Sequence, residues 1–184
     1  MKSKTLTAAG IVLAVIVLAA GAAFSAQDRY TLAVPGGLAF ADFRGYETWQ
    51  VISVSNGKAL AVILGNPTMI AAYKAGSPVN GKPFPDGARM AKIHWIPKRN
   101  PATPGQPLVP DTLHDVDFMV KDSKKFADSG GWGYAEFEYD AASDKFRPGT
   151  MADSPPQAND AKCGFSCHTS AQQRDYVFTE YLKR

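Results

Sequence analysis

The residues best suited to chemistry lie close together near the end of this 184-residue chain. Cys163 and Cys167 are its only cysteines, three residues separate them, and His168 follows the second directly. Two thiols and an imidazole at this spacing could attach a haem, bind a metal ion or close a small disulfide loop. In covalent haem attachment each cysteine bonds to one vinyl group of the porphyrin, and the histidine coordinates the iron.

The haem hypothesis fits the motif best, although the spacing differs from the common C-x-x-C-H pattern by one residue. The direct junction of Cys167 and His168, which points the imidazole at the iron, is retained. A structural zinc site would need four ligands, and only His94 and His114 remain to complete it. A disulfide between Cys163 and Cys167 would be sterically awkward across so short a loop, but it would suit an oxidising compartment.

The first 26 residues have the features of a secretory signal peptide. Lys2 and Lys4 precede an apolar run from residue 8 to residue 23, and small residues follow up to Ala26. The run is shorter than the roughly 20 residues that a membrane-spanning helix needs, so an uncleaved anchor is the weaker alternative. We therefore expect residues 27–184 to form one exported, periplasmic domain. Export fits the haem hypothesis, because bacteria attach haem covalently outside the cytoplasm.

The charge of the chain argues against nucleic acid as a partner. The formal net charge is +3, and it falls to +1 when Lys2 and Lys4 are removed with the signal peptide. A protein that binds phosphate backbones needs a clear excess of basic residues on one face. The nearly neutral domain offers no such excess.

The remaining pattern predicts an α+β domain, mainly an antiparallel β-sheet of about five strands with short helices. Asn56-Gly57 marks a hairpin, and Asn66-Pro67 begins a helix that ends at Gly76. The proline-rich segment 97–110 and the polar segment 140–160 are predicted to be loops. An apolar stripe at 177, 178, 181 and 182 predicts a final short helix. The predicted strands cover residues 49–55, 58–64, 89–96, 113–120 and 132–139.

The strand over residues 89–96 carries an unusual mixture of side chains. Its period of two separates an apolar face from a face that mixes apolar residues with Lys92 and His94. Periodicity alone favours the interpretation that Lys92 simply faces water.

Several short motifs, in this order along the chain, resemble one known family. They are Gly45 to Trp49, Asn66-Pro67, Tyr73-Lys74, Pro85-Asp86-Gly87 through Lys92, Val120 to Ala127, Gly131-Trp132, the cysteine motif and Asp175 to Thr179. Together they resemble the cytochrome P-460 family, exported c-type haem proteins of antiparallel β-sheet, and the related cytochrome c′-beta proteins. The resemblance covers nearly all of the expected domain.

The resemblance implies a covalently bound haem c with four attachment points in the protein. Cys163 and Cys167 would form the thioethers, and His168 would be the axial ligand of a five-coordinate iron. Lys92 stands where the family has a lysine joined to a meso carbon of the porphyrin, which reverses the expectation from periodicity. Members with this cross-link oxidise hydroxylamine to nitric oxide or nitrous oxide and pass electrons to a periplasmic acceptor. Relatives form homodimers.

Oxidation of hydroxylamine would also need a base to take up protons. Asp115, Asp117, His94 and His114 are candidates by residue type, although the sequence does not place any of them over the iron.

The alternative function is that of a cytochrome c′-beta protein, which binds nitric oxide or carbon monoxide, or transfers electrons, without turnover. Such proteins cap the haem with phenylalanine, and Phe40, Phe43 or Phe84 could form the cap or merely fill the core. A third hypothesis is a haemless exported β-domain with a disulfide.

Overall fold

The computed structural model describes residues 27–34, 37–149 and 160–183. The predicted signal peptide, residues 1–26, lies outside these residues, as does most of the segment predicted to be a loop before the cysteine motif. Within the described part of the chain, no helix is long and apolar enough to cross a membrane.

The described residues form a six-stranded antiparallel sheet in which each strand pairs with its neighbours in sequence. Helix α1 lies between β2 and β3, and α2 follows the sheet and packs against β5. This architecture confirms the prediction of an α+β fold of antiparallel sheet and short helices. The elements are β1 (Gln50–Asn56), β2 (Leu60–Gly65), α1 (Pro67–Lys74), β3 (Arg89–Arg99), β4 (Leu108–Lys121), β5 (Trp132–Asp140), β6 (Lys145–Pro148) and α2 (Asp160–His168).

The predicted start of α1 is confirmed in detail. Asn66 caps the helix, because its side-chain oxygen accepts a hydrogen bond from the Met69 N–H at 2.9 Å. Pro67 occupies the first turn, where its missing N–H costs nothing. Gly76 follows the helix with a φ of +94°, a conformation in which glycine is least strained. Helix α1 and the residues after it thus connect β2 to β3.

The sheet separates two apolar clusters. The first cluster packs the N-terminal segment, including Phe40 and Phe43, against Phe118 and Phe137 of the sheet. The second cluster lies on the opposite face and includes Met69 of α1 together with Met90 and Trp132. Alternate residues along β3 and β4 therefore enter different clusters, as the predicted period of two requires.

Three predictions about where elements occur are wrong. Residues 145–148, which we assigned to a loop, form the short edge strand β6. Residues 177–183 form no regular secondary structure, although their apolar spacing predicts a helix. Asp175 and Tyr176 have φ values of 50° and 63°, which interrupt any helix at this point. Strands β3 and β4 are also longer than predicted, since they enclose only residues 100–107 as a loop.

Candidate functional site

A cavity of about 650 Å³ lies between the sheet and the C-terminal segment of the chain. Its volume falls within the roughly 300–1,000 Å³ typical of small-molecule sites. Strands β1 to β5 form one wall, and α2 with residues 177–182 forms the other. Lys92 lies on the first wall, and Cys167 and His168 lie on the second. The cavity thus brings together three of the four residues proposed to attach the cofactor.

The sheet wall of the cavity carries one transverse row of residues. The strand register pairs Ser53 with Ile63, Ile63 with Lys92, Lys92 with Asp117, and Asp117 with Glu136. All five residues line the cavity. Directly paired residues in a sheet have Cβ atoms about 4.5–5.5 Å apart. The register therefore makes Lys92 and Asp117 direct neighbours in the middle of this wall.

Lys92 is partly buried on the cavity wall. Periodicity alone favoured a lysine that faces water, and this interpretation is wrong. The face of β3 that carries Lys92 also carries the core residue Met90, and it packs against the second apolar cluster. The structure therefore places Lys92 on the same cavity as His168.

The cysteine motif lies in α2, a helix that was not predicted. Positions 163 and 167 are four residues apart, and residues at this spacing share one face of a helix. The side chain of Cys163 lies outside the part of the chain that the structure describes. Cys167 has a free, exposed thiol. Helical geometry gives the three-residue spacer a physical basis, because positions 163 and 167 fall on one face of α2.

Gly164 allows α2 to pack closely on β5. A Cβ atom at this position would lie 2.4 Å from the Tyr134 ring. We expect Gly164→Ala to lower the free energy of unfolding by about 1–3 kcal/mol through overpacking, although alanine is the better helix former. Gly57→Ala is the control, because a Cβ atom there meets nothing within 4 Å. Denaturant unfolding would measure both changes, and equal stabilities would contradict this packing argument.

His168 is held in the form that binds metals. Its Nδ1–H donates a hydrogen bond to the Tyr176 carbonyl at 2.6 Å, so Nε2 keeps the free lone pair. Burial lowers the pKa of His168, the Tyr176 carbonyl opposes this shift, and the charge of Lys92 adds to it. The ring lies against Tyr134 and Phe178, with centroid distances of 4.9 and 4.7 Å. The imidazole is therefore neutral and oriented.

Asp117 is a cavity carboxylate with a strongly raised pKa. Burial and the nearby carboxylates of Asp115 and Glu136 raise its pKa to about 7, against the opposing charges of His94 and Lys92. The side chain lines the cavity and keeps 41% exposure. A carboxylate that titrates near neutral pH is suited to exchange protons with a bound ligand.

A hydrogen-bonded network adjoins Asp117 on its side away from α2. His94 and His114 both bond through Nδ1 to the buried carboxylate of Asp115, one to each oxygen. The same His94 nitrogen lies 3.7 Å from Asp117. Burial opposes ionisation of Asp115, but the two histidine hydrogen bonds outweigh it and lower the pKa of Asp115. The Asp115 hydrogen bond raises the pKa of His114, whose side chain is 56% exposed.

The same network is the place where a metal ion other than iron could bind. One ligand atom from each of His94, Asp115 and Asp117 lies within 4.8 Å of the others. Both oxygens of Asp115 already accept hydrogen bonds, however, which favours an acid–base network over a metal site. Among the described residues, neither His94 nor His114 joins Cys167 in a cluster of this kind.

The three phenylalanines considered as a distal cap lie in the core instead. Phe40 and Phe43 belong to the cluster on the far face of the sheet. Phe84 packs against Tyr73 and Trp132 in the second cluster. Two other phenylalanines line the cavity: Phe118, which is buried in the sheet, and Phe178, which is 54% exposed and lies beside His168.

Glu136 is the functional candidate that sequence reasoning missed. It faces the cavity next to Asp117 in the sheet register. The alternation of β5 contained the signal, because Trp132 and Tyr134 fall on the same face as Glu136. An acidic residue on a strand face of buried aromatic residues is unusual, so the sequence pattern could have identified Glu136 as a candidate site residue.

Three observations on these residues fit a haem in the cavity. The cavity is large enough for a cofactor, and Cys167 and His168 lie on one of its walls. His168 presents a neutral imidazole with one nitrogen already occupied by a carbonyl, as metal-ligating histidines usually do. The apolar part of the wall, which includes Met90, Met119 and Val177, would exclude water from a porphyrin.

Comparison with known proteins gives one clear result. A family model described as Cytochrome P460 matches residues 43–179, about three quarters of the chain. The match begins at Phe43 and extends past the cysteine motif to residue 179, so it includes the sheet and most of the second wall of the cavity. No curated protein matches the chain.

Proposed function

The chain belongs to the cytochrome P460 family, and on this premise we propose that it is an exported c-type cytochrome that oxidises hydroxylamine to nitric oxide or nitrous oxide. Membership of a cytochrome family implies that the protein binds haem and that its metal is iron. The covalent attachment of the haem, the substrate and the site of action are the parts proposed here.

The proposed attachment uses residues from both walls of the cavity. Cys163 and Cys167 form the thioethers from α2, and His168 ligates the iron through Nε2. Lys92 reaches the porphyrin from the sheet and forms the third covalent bond. When bound, the haem supplies an iron that binds small nitrogen compounds and accepts their electrons. An additional tether would distort the macrocycle, and distortion is one means by which a protein tunes a haem.

One observation carries the proposal beyond haem binding. Lys92, Asp117 and Glu136 lie side by side in one row of the sheet, on the wall of the cavity opposite His168. Lysine is the residue type that the proposed cross-link requires, and the two carboxylates offer bases next to it. This row supports oxidation chemistry, because removing electrons from hydroxylamine also releases protons that a base must accept.

Asp117 is the base that we assign to this step. Its pKa of about 7 lets it change protonation state at the pH of the periplasm. The positive charge of an unmodified Lys92 lowers this pKa. A cross-linked nitrogen bonded to the porphyrin would carry less positive charge, so the cross-link would make Asp117 a stronger base.

A network of charged groups adjoins Asp117 and influences its acidity. His94 Nδ1, which donates to Asp115, lies 3.7 Å from the Asp117 carboxylate, and the charge of His94 opposes the rise of the Asp117 pKa. Asp115 also accepts a hydrogen bond from the exposed His114. Asp117 itself keeps 41% exposure, so it can pass a proton taken from the ligand to water.

The alternative function, gas binding without turnover, has less support from the cavity. The cytochrome c′-beta proteins combine an aromatic cap with the absence of a cross-linking lysine. Phe40, Phe43 and Phe84 all lie in the core rather than on the cavity. The sheet wall instead carries Lys92, Asp117 and Glu136, a polar set that suits proton transfer better than the selection of apolar diatomic gases.

The location and partners of the protein are also part of the proposal. The candidate signal peptide supports export to the periplasm. A periplasmic electron acceptor would receive the electrons taken from hydroxylamine, and the resemblance to the family supports a homodimer.

Turnover of hydroxylamine by the purified holoprotein tests the proposed function. The mature protein, produced in a host with a cytochrome maturation system, would be mixed with hydroxylamine and a dye that accepts electrons. We expect dye reduction that depends on hydroxylamine, with nitric oxide or nitrous oxide as the product. An ordinary five-coordinate c-type spectrum, with gas binding but no dye reduction, would favour the cytochrome c′-beta alternative instead.

The pH dependence of this turnover follows from the assignment of Asp117. A base must be deprotonated to accept a proton, so kcat/KM should rise as the pH increases through the pKa of Asp117 and then level off. This pKa is about 7 beside a charged Lys92 and higher once the cross-link removes that charge. The same profile measured for Asp117→Asn identifies any pH dependence that belongs to hydroxylamine itself. If kcat/KM of this variant still rose over the same pH range, the assignment of Asp117 as the base would be contradicted.

A further inference from the structure

The carbonyl that orients His168 belongs to an unusual turn. Tyr176 accepts the hydrogen bond from His168 Nδ1–H at 2.6 Å. Asp175 and Tyr176 both have left-handed backbones, with φ values of 50° and 63°. Side chains with a Cβ atom seldom adopt this region, least of all bulky ones. Such a conformation persists only where its surroundings hold it in place.

A buried ion pair holds the first residue of this turn. Lys121 Nζ donates to Asp175 Oδ1 at 2.7 Å, and the two side chains are 7% and 12% exposed. The other oxygen of Asp175 accepts the Phe84 N–H at 2.8 Å. Lys121 also donates to the Gly130 carbonyl at 3.0 Å. Asp175 is thus fixed both to the end of β4 and to the segment before β3.

Packing holds the second residue of the turn. The Tyr176 ring lies so close to Gly130 that a Cβ atom there would be 2.2 Å from the ring. The ring also packs against Phe165 of α2, with a centroid distance of 5.3 Å. The Tyr176 N–H bonds back to the Ala171 carbonyl at 2.9 Å. The carbonyl aimed at His168 therefore has little freedom to move while Asp175 stays in place.

Stability alone is a weak explanation for this ion pair. Taking two charges out of water costs free energy, and apolar residues of similar volume often stabilise a protein as well or better. The ion pair does, however, hold a strained turn in position, and the Tyr176 carbonyl of this turn accepts a hydrogen bond from His168, the proposed iron ligand. The hydrogen bond to the second nitrogen of a ligating histidine sets the orientation and basicity of that ligand.

We propose that Lys121 and Asp175 are positioning residues that set the strength of the His168 hydrogen bond and thereby the reduction potential of the haem. This inference rests on the ligation of iron by His168 in the proposed function. The ion pair fixes Asp175, Asp175 fixes the Tyr176 carbonyl, and the carbonyl draws electron density into the imidazole through Nδ1–H. A more electron-rich imidazole favours ferric over ferrous iron, which lowers the potential.

The test compares Asp175→Asn with the wild-type holoprotein. Asparagine keeps the shape of the side chain and an oxygen acceptor but leaves Lys121 without a counter-charge. We expect the midpoint potential to move to a more positive value and the iron–histidine stretching frequency of the ferrous protein to fall. Asp111→Asn is the control, because it makes the same charge change at an exposed ion pair with Lys98. This control should leave both measurements unchanged.

A second variant covers the case in which Asp175→Asn does not fold. Lys121→Met combined with Asp175→Asn leaves no unpaired buried charge, and it should show the same two shifts. A folded, haem-containing variant with the wild-type potential and stretching frequency would overturn this inference alone. Wild-type protein that carries haem without an iron–histidine band would overturn the ligation by His168, and the proposed function with it.

Discussion

Replacing Lys92 with arginine is expected to abolish hydroxylamine oxidation while the haem stays bound. Arginine keeps the length and charge of the side chain, but its guanidinium stays protonated and cannot form the bond of a lysine amine to carbon. The two thioethers and His168 would still hold the cofactor. The absorption spectrum should therefore change to that of an ordinary c-type haem. Spectroscopy, haem content and dye reduction by the purified protein would measure these effects.

Lys98→Arg is the matched control for this experiment. Lys98 lies further along the same strand, where it forms an exposed ion pair with Asp111. This variant should keep both the spectrum and the activity of the wild type. If Lys92→Arg also kept them, Lys92 would have no covalent role.

Replacing Asp117 with asparagine should lower hydroxylamine turnover by about 10²–10⁴-fold, the usual contribution of a positioned general base. Asparagine has the same shape, but it cannot accept a proton near neutral pH. Haem content should be unchanged, because Asp117 does not belong to the proposed attachment. Steady-state kinetics with saturating dye would give the ratio of rates.

Asp111→Asn tests whether any loss of a carboxylate from β4 has this effect. Asp111 lies on the same strand but is exposed and paired with Lys98, so its variant should turn over at the wild-type rate. A rate for Asp117→Asn within a few-fold of wild type would assign the base to another group, with Glu136 as the first to examine.

Strand alternation predicted which residues of β3 and β4 share a face of the sheet, but it did not predict that one of these faces lines a cavity. Lys92 and Asp117 each share a face with apolar neighbours, and the structure confirms those faces. What alternation does not give is the register between strands, which decides that Lys92 pairs with Asp117 and Asp117 with Glu136. The pairing of β3 with β4 contains irregularities near Trp95 and Pro97, and local pattern does not locate them.

The C-terminal wall was predicted less well, because tertiary contacts override its local pattern. The spacing of Val177, Phe178 and Leu182 is helical, but the left-handed turn before them depends on Lys121, which is distant in sequence. The strand β6 has only four residues and lies at the edge of the sheet, so its pattern is too short to distinguish from a loop. The cysteine motif itself was recognised from residue types alone, and its helical form emerged only from packing on β5.

The intact mass of the mature holoprotein tests the central claim most directly, because covalent attachment is the feature on which every proposed role depends. We predict the mass of the apoprotein plus one haem that survives acid-acetone extraction, with the loss of hydrogen that a bond between Lys92 and the porphyrin requires. Colourless protein of apoprotein mass, isolated from a host competent in cytochrome maturation, would contradict the account.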